Sequence, residues 1–543
     1  MLNFAKENPI LSIGVLVLLL FGFSLEVLPI SIMEGRNFCV ARDMLTENNW
    51  LLTTMNNLPR YEKPPFPAWF SVPFVKLFGI HQLWAYRLPT VVMAWLCGIV
   101  WYKVSLLLTS QKDFGLYSAL VLMTSFYFIG IVYEAPSDLY AHTTILTSIY
   151  YLLKHLKTKC LLFLIVSILA FAASILSKGP IGFYALFLPF IIALYGSKIF
   201  KLKKVIAPCL AVVLLGSLLG FSWYFYVRFI DPQHFLVMAA KETQNWTTYN
   251  VKPFYYYWSF FTHSGVWTLP ALFGVLLFFY RKKFQLSKTY IFMFWWTIAA
   301  VILLSFIPEK KSRYLFPVLI PLSGVVSYTI ILAIKWAHHK FTKAIILVHH
   351  SIIILALTAS LAVFFFLNTT EAFFWLWYSL WILSALIFMV FIIKYLKIMA
   401  VKKLILSNII LVAIITSLGF QAVGFANKNE HFKTAQAFKQ QEHFELPAFY
   451  YKKIEPEILW EFGKDSDDLN TAKQLPNRFN LIVSGSYVEE VKQDILPHFE
   501  LVESFVYDRN YFNDNTMQKY RPRFVLYVYS LGKPSAHTDQ TTP

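Results

Sequence analysis

Apolar runs separated by polar breaks give thirteen candidate membrane spans, near 10–30, 88–108, 115–134, 138–153, 160–177, 181–197, 205–228, 257–280, 289–307, 314–334, 344–367, 373–393 and 404–425. A helix crossing a membrane needs about 20 mostly apolar residues. The pattern therefore predicts an all-α polytopic membrane region over 1–425. Beyond it the pattern changes. Strand-like runs at 479–484 and 523–531, a helical stretch at 486–495 and an extended run near 500–507 predict a small soluble α/β domain over 426–543. The stretch PSAHTDQTTP reads as a frayed tail.

The first apolar run has no small-residue cleavage site behind it and reads as an uncleaved anchor. Loop 31–87 is too apolar for a free linker. Phe38, Ala41, Met44 and Leu45 in segment 37–46 recur at helical spacing, and segment 66–80 is aromatic and amphipathic. Both are expected to be helices lying in the interface plane. Between them, Arg60-Tyr61-Glu62-Lys63-Pro64-Pro65 forms a rigid polar elbow.

Composition agrees with this division. Of 543 residues, 57% are hydrophobic and 14% charged, against about 25% charged in soluble domains. The net charge of +18 would suggest nucleic acid if it were evenly spread. Residues 1–425 hold 34 Lys/Arg and 13 Asp/Glu, and residues 426–543 hold 14 and 17. The excess sits in alternate loops, at Lys6, Lys112, Lys154, Lys157, Lys159, Lys198, Lys201, Lys203, Lys204, Arg281, Lys282, Lys283, Lys335, Lys340, Lys343, Lys394, Lys397, Lys402 and Lys403. The positive-inside rule makes that face cytoplasmic. Nucleic-acid binding is thereby excluded. With thirteen spans, the C-terminal domain falls on the outer, periplasmic side of a bacterial inner membrane.

Carboxylates follow a different rule. Of the 13 acidic residues before 426, only Glu7 and Asp113 share the lysine-rich face. Acidic residues hardly influence topology, so their clustering points to chemistry on the outer face. There, Lys and Arg can neutralise phosphate oxygens, and a carboxylate can deprotonate an incoming nucleophile. A transporter or flippase would instead place ionisable groups near the bilayer midplane. The four cysteines have no metal-binding or disulfide spacing. His81 and His263 stand alone and read as structural, and the sequons Asn245-Trp-Thr247 and Asn368-Thr-Thr370 carry no weight.

The order of outer-face motifs resembles bacterial family-39-type glycosyltransferases of the GT-C fold, the superfamily of lipid A aminoarabinose transferase and protein O-mannosyltransferases. The residues are Glu34-x-Arg36, Ala41-Arg42-Asp43-Met44, Tyr61-Glu62-Lys63-Pro64-Pro65, Arg87-Leu88-Pro89, Ser137-Asp138, Lys178-Gly179-Pro180, Pro253-Phe254-Tyr255-Tyr256-Tyr257 and Lys310…Tyr314-Leu-x-Pro317. The resemblance runs from about 30 to 325. It implies transfer of a sugar, with inversion, from a polyprenyl-phosphate-linked donor to a lipid, glycan or protein acceptor.

One departure matters. The family pattern Asp-Glu-x-Arg-Tyr reads Met33-Glu34-Gly35-Arg36-Asn37 here, and methionine cannot accept a proton. Either Glu34 or Asp138 is then the catalytic carboxylate, or the acceptor or reaction differs from that of the better-known members. The resemblance assigns Lys63 to the donor phosphate, and Arg36, Lys178, Lys310, Arg313 and Tyr314 are expected beside it. In some relatives the residue matching Glu62 shares a metal with a His; Glu242 stands there, so no cofactor is expected and a divalent metal near Glu62 lacks its partner ligand.

Overall fold

A computed structural model describes the chain except residues 1, 135, 201, 281–285, 364–371, 426–428, 430–434, 441, 464, 511–524 and 534–543. Lys201, Arg281, Lys282, Lys283, the 368–370 sequon, the start of the 523–531 run and the tail lie outside the described residues. All thirteen apolar runs contain helix. Among the described residues, however, nine helices are long and apolar enough to cross a membrane, or ten if Lys112–Met123 and Phe126–Glu134, bent by 54°, count as one span.

The shortfall from thirteen has a physical reason. The first run is helical only over Pro9–Phe21. The 181–197 run is a π-turn, Phe183–Phe187, continuing into Leu188–Ser197. Helix Pro136–Thr158 is long enough but polar, and protein surrounds it: Asp138, His142, Thr143, Thr144 and Ser148 are all buried. A helix shielded by its neighbours can carry polar groups that satisfy one another across helices.

Those polar groups set its height. Ser148 Oγ donates to the Ser167 carbonyl at 2.8 Å, and Ser167 Oγ donates to the Ser148 carbonyl at 2.8 Å. Ser174 Oγ donates to the Ala141 carbonyl at 2.8 Å. These bonds zip Pro136–Thr158 to the antiparallel Leu161–Lys178, so the start of one helix meets the end of the other. At the opposite end of the bundle, Lys6 pairs with Asp113 at 2.7 Å and Lys157 donates to the Leu107 carbonyl. Lys6, Asp113 and Lys157 belong to one set of alternate loops in the sequence, and Leu107 lies at the adjoining helix end.

The segments expected to be interfacial helices are Ile32–Thr46 and Phe66–Phe78. Ile32–Thr46 does not lie on lipid. Phe38, Cys39, Val40, Ala41 and Met44 are buried in one cluster with Ala68, Val72 and Val75 of the second helix and with Leu459 and Trp460. Protein covers the apolar face. Between the helices runs a two-stranded hairpin, β1 (Thr54–Met55) and β2 (Leu58–Pro59). Asn56 and Asn57 both have positive φ, 58° and 61°, as a tight primed turn requires.

The last long helix ends at Phe425. The C-terminal sheet holds β3 (Ala448–Tyr450), β4 (Asp467–Asp468), β5 (Arg478–Ser484), β6 (Glu500–Asp508) and β7 (Val525–Gly532), in the order β4-β3-β5-β7-β6. β3 runs parallel to β4 and β5, and β7 is antiparallel to β5 and β6. Alternate residues of β5 face opposite cores. Phe479, Leu481 and Val483 pack with Val488 and Val491 of helix Val488–Asp494, while Ile482 packs with Phe438, Ile458 and Phe462. The α/β expectation and its strand positions hold.

Candidate active site

Asp138 lies in the first turn of Pro136–Thr158, and Lys178 is the last residue of Leu161–Lys178. Gly179, at φ 68°, ends that helix in a conformation that favours glycine. The Lys178 ammonium reaches back to Asp138 Oδ1. Asp138 Oδ2 is buried with no hydrogen-bond partner among the described residues. A buried, unpaired carboxylate oxygen is costly and has the capacity to accept a proton.

Other elements close on this corner. The Lys178 ammonium lies 5.0 Å from the centroid of the Tyr314 ring. Tyr314 OH donates to Glu309 at 3.3 Å. Arg313 pairs with Glu134 at 3.6 Å, and its Nε is buried without a hydrogen-bond partner among the described residues. Asn37 Nδ2 donates to Ser137 Oγ at 3.1 Å, linking the first outer loop to the residue before Asp138.

Lys63 is half-buried, with no hydrogen bond or ion pair among the described residues. Burial, and next the Lys178 ammonium, push its pKa down to about 8, against the opposing pull of Glu242 and Asp138. Lys63 is therefore a strained cation that feels the charges of Lys178 and Asp138, and an anion would relieve it. Arg60, absent from the sequence expectations, is a second such group. It is buried, its guanidinium has no hydrogen bond among the described residues, and burial lowers its pKa to about 10. Its signal was its place at the head of the Glu-Lys-Pro-Pro elbow.

Three expected residues sit differently. Glu34 Oε1 accepts from Arg87 Nε at 2.8 Å, and Oε2 accepts from Arg87 Nη2 at 3.1 Å and from the Ser31 backbone at 3.0 Å. Both oxygens are engaged, and the two side chains are only 1% and 2% exposed. Arg36 is exposed, and among the described residues its guanidinium donates only to the Met33 sulfur, at 3.9 Å. Lys310 donates to the Ile307 carbonyl at 2.6 Å and the Lys252 carbonyl at 3.1 Å. Its ammonium is thus used to tie loop 250–253 to loop 307–310. Isolated lysines in sequence do not reveal such carbonyl pairings.

The donor set near Glu62 does not fit a metal site. Glu62 Oε2 is buried without a hydrogen-bond partner among the described residues, but Oε1 faces the Lys241 ammonium at 3.8 Å. Among the described residues, no three His, Cys, Asp or Glu side chains converge.

Comparison with known proteins bears on the class first. A family model described as dolichyl-phosphate-mannose-protein mannosyltransferase matches residues 62–223. That span takes in Lys63, Asp138 and Lys178. The crystal structure of ArnT from Cupriavidus metallidurans bound to undecaprenyl phosphate superposes with a TM-score of 0.70 at 15% identity, covering 97% of this chain and 98% of that one. The fold is thus the GT-C fold of ArnT, and the resemblance read from the motif order holds.

Particular relatives narrow the neighbourhood. The chain is 27% identical over 295 residues to an uncharacterised protein of Aquifex aeolicus (strain VF5), covering 51% of this chain and 54% of the relative. It is 21% identical over 337 residues to undecaprenyl phosphate-alpha-4-amino-4-deoxy-L-arabinose arabinosyl transferase 2 of Proteus mirabilis (strain HI4320), covering 59% and 60%. The chain therefore spans about half to three-fifths of the curated relatives it matches.

Proposed function

We propose that the chain is an integral-membrane glycosyltransferase that moves a sugar from a polyprenyl-phosphate-linked donor to a hydroxyl or phosphate oxygen of a lipid, glycan or protein acceptor. The observation that carries this reading is the Asp138–Lys178 corner, where one buried carboxylate oxygen has no hydrogen-bond partner among the described residues and whose charges act on the Lys63 ammonium. The similar ArnT structure is described as bound to undecaprenyl phosphate, and the Proteus relative is named for a sugar on that lipid.

Asp138 Oδ2 serves as the base. The acceptor oxygen forms a bond to the anomeric carbon from the face opposite the phosphate. The bond from that carbon to the phosphate oxygen breaks, and its electron pair leaves with the polyprenyl phosphate. A hydroxyl acceptor passes its proton to Asp138, whereas an ionised phosphate acceptor needs no base. Lys63, Arg60, Lys178 and Arg313 neutralise the departing phosphate, and Tyr314 holds Lys178 in place. Glu34 is a structural anion, Arg36 belongs to the rim, and Lys310 is a loop staple. No resident metal enters the scheme.

The lysine-rich end belongs in the cytoplasm, which directs the site and the 426–543 domain to the periplasmic side of the inner membrane. The test is transfer from radiolabelled polyprenyl-phosphate sugar by the purified chain in lipid discs. Sugar that never leaves the lipid, whatever acceptor is offered, would favour the flippase reading. Mass spectrometry of lipid A and surface glycans from a deletion strain identifies the acceptor.

A further inference from the structure

The C-terminal domain is clamped to the helix that carries Asn37. On Ile32–Thr46, Gly35, Phe38, Cys39 and Arg42 form one face, at helical spacing, against Pro456–Phe462. A Cβ at Gly35 would lie 2.6 Å from the Glu457 backbone nitrogen, so only glycine permits this approach. Arg42 Nη1 donates to the Leu459 carbonyl at 3.2 Å and Nη2 to Asp465 Oδ1 at 2.7 Å. Trp460 packs edge-on against Phe38 at 5.8 Å and Tyr86 at 5.3 Å between ring centroids. Asn56 and Ser466 exchange two hydrogen bonds, at 2.6 and 2.8 Å, and Asn56 N donates to Asp43 Oδ2 at 2.8 Å.

Another face of the same helix meets the site. Asn37 exchanges hydrogen bonds with Ser137 Oγ, the residue preceding Asp138. A continuous path therefore runs from Asp465 through Arg42, the helix and Asn37 to the start of the Asp138 helix.

We infer that the C-terminal domain is a positioning element for the reaction. Through Arg42 and Asp465 it fixes the Ile32–Thr46 helix, and through Asn37 and Ser137 that helix holds Asp138 in register with the donor. This rests on the reading of Asp138 as base. It makes Arg42, Asp465 and Asn37 positioning residues, and it assigns the domain a part in turnover rather than in capturing acceptor. Small misplacements of a reacting group are enough to slow chemistry while binding is preserved.

The test uses the full chain. Asp465 is partly exposed, with a side chain 39% accessible, so Asp465→Ala should fold. Its kcat should fall about tenfold with donor and acceptor KM nearly unchanged, and Asp465→Glu should restore it. Asn37→Ala should lower kcat similarly, and the double variant should be no slower than the worse single. Hydrogen exchange at the amides of residues 140–144 should accelerate in both single variants. Multiplying kcat losses, an effect confined to acceptor KM, or faster exchange only within 32–46 would each overturn the inference. The exchange readout needs no turnover. If Asp138→Asn keeps full activity, the assignment of the base fails, and exchange still reports whether the domain holds the Asp138 helix.

Discussion

Two buried carboxylate–cation pairs stand at the same end of this molecule, and they are built to opposite specifications. Glu34 and Arg87 saturate each other. Arg87 also donates to the carbonyls of Leu25, Leu28 and Pro29 at 2.9, 2.9 and 3.2 Å, while Glu34 closes a capping box with Ser31. Asp138 and Lys178 leave one carboxylate oxygen without a partner among the described residues, and the Lys63 ammonium feels the charges of Lys178, Asp138 and Arg60. The first pair fastens a loop to the bundle. The second retains acceptor capacity in a cationic surround, as general-base chemistry beside a phosphate demands. Burial of a charge is shared by both and distinguishes neither; the count of satisfied atoms does.

The sharpest break between the pairs is chemical. Asp138→Asn keeps the shape of the corner but removes its base, and transfer to a hydroxyl acceptor should fall about 10²–10⁴-fold, measured with radiolabelled donor. Arg87→Ala should act on folding instead. Stranding a buried carboxylate costs about 3–5 kcal/mol, which would appear as an earlier thermal transition in detergent with donor KM unchanged among folded molecules. If Arg87→Ala raised donor KM and left stability intact, the contrast would collapse.

Lys63→Ala should raise donor KM by about tenfold to a hundredfold, the worth of a charge-assisted hydrogen bond. A pH profile sharpens the same point. Because burial holds the free Lys63 pKa near 8, its cation is present below that pH and lost as pH rises through it. Donor affinity should therefore weaken above about pH 8, and Lys63→Arg, which stays charged, should flatten the profile. The smallest effect is expected at Lys310. Lys310→Met should leave donor KM alone and cost about 1–3 kcal/mol of stability through the carbonyls it releases; a large KM change would return Lys310 to the phosphate site.

Much of the architecture was readable from one dimension. Apolar run length located helices in all thirteen segments, and the switch to alternating patterns located β5, β6, β7 and the helix between β5 and β6. Helix Pro136–Thr158 shows where that reading stops. Its apolar pattern predicts a helix, but only the serine bonds to Leu161–Lys178 and the surrounding protein explain why a buried helix tolerates so many polar groups. Ile32–Thr46 shows the same limit from the other side. Its apolar face could have met lipid or protein, and it is covered partly by the nearby Phe66–Phe78 and partly by Leu459 and Trp460, more than 400 residues away in sequence.

At the site, the sequence alone determined the residue types and their order along one set of alternate loops: carboxylates and cations, with Asp138, Lys178 and Lys63 among them. It left Glu34 and Asp138 equal, since both are carboxylates beside apolar runs. Tertiary structure separates them, because a carboxylate's availability depends on how many donors converge on its two oxygens. Those donors, Arg87 for one and Lys178 for the other, come from distant segments brought together only by packing.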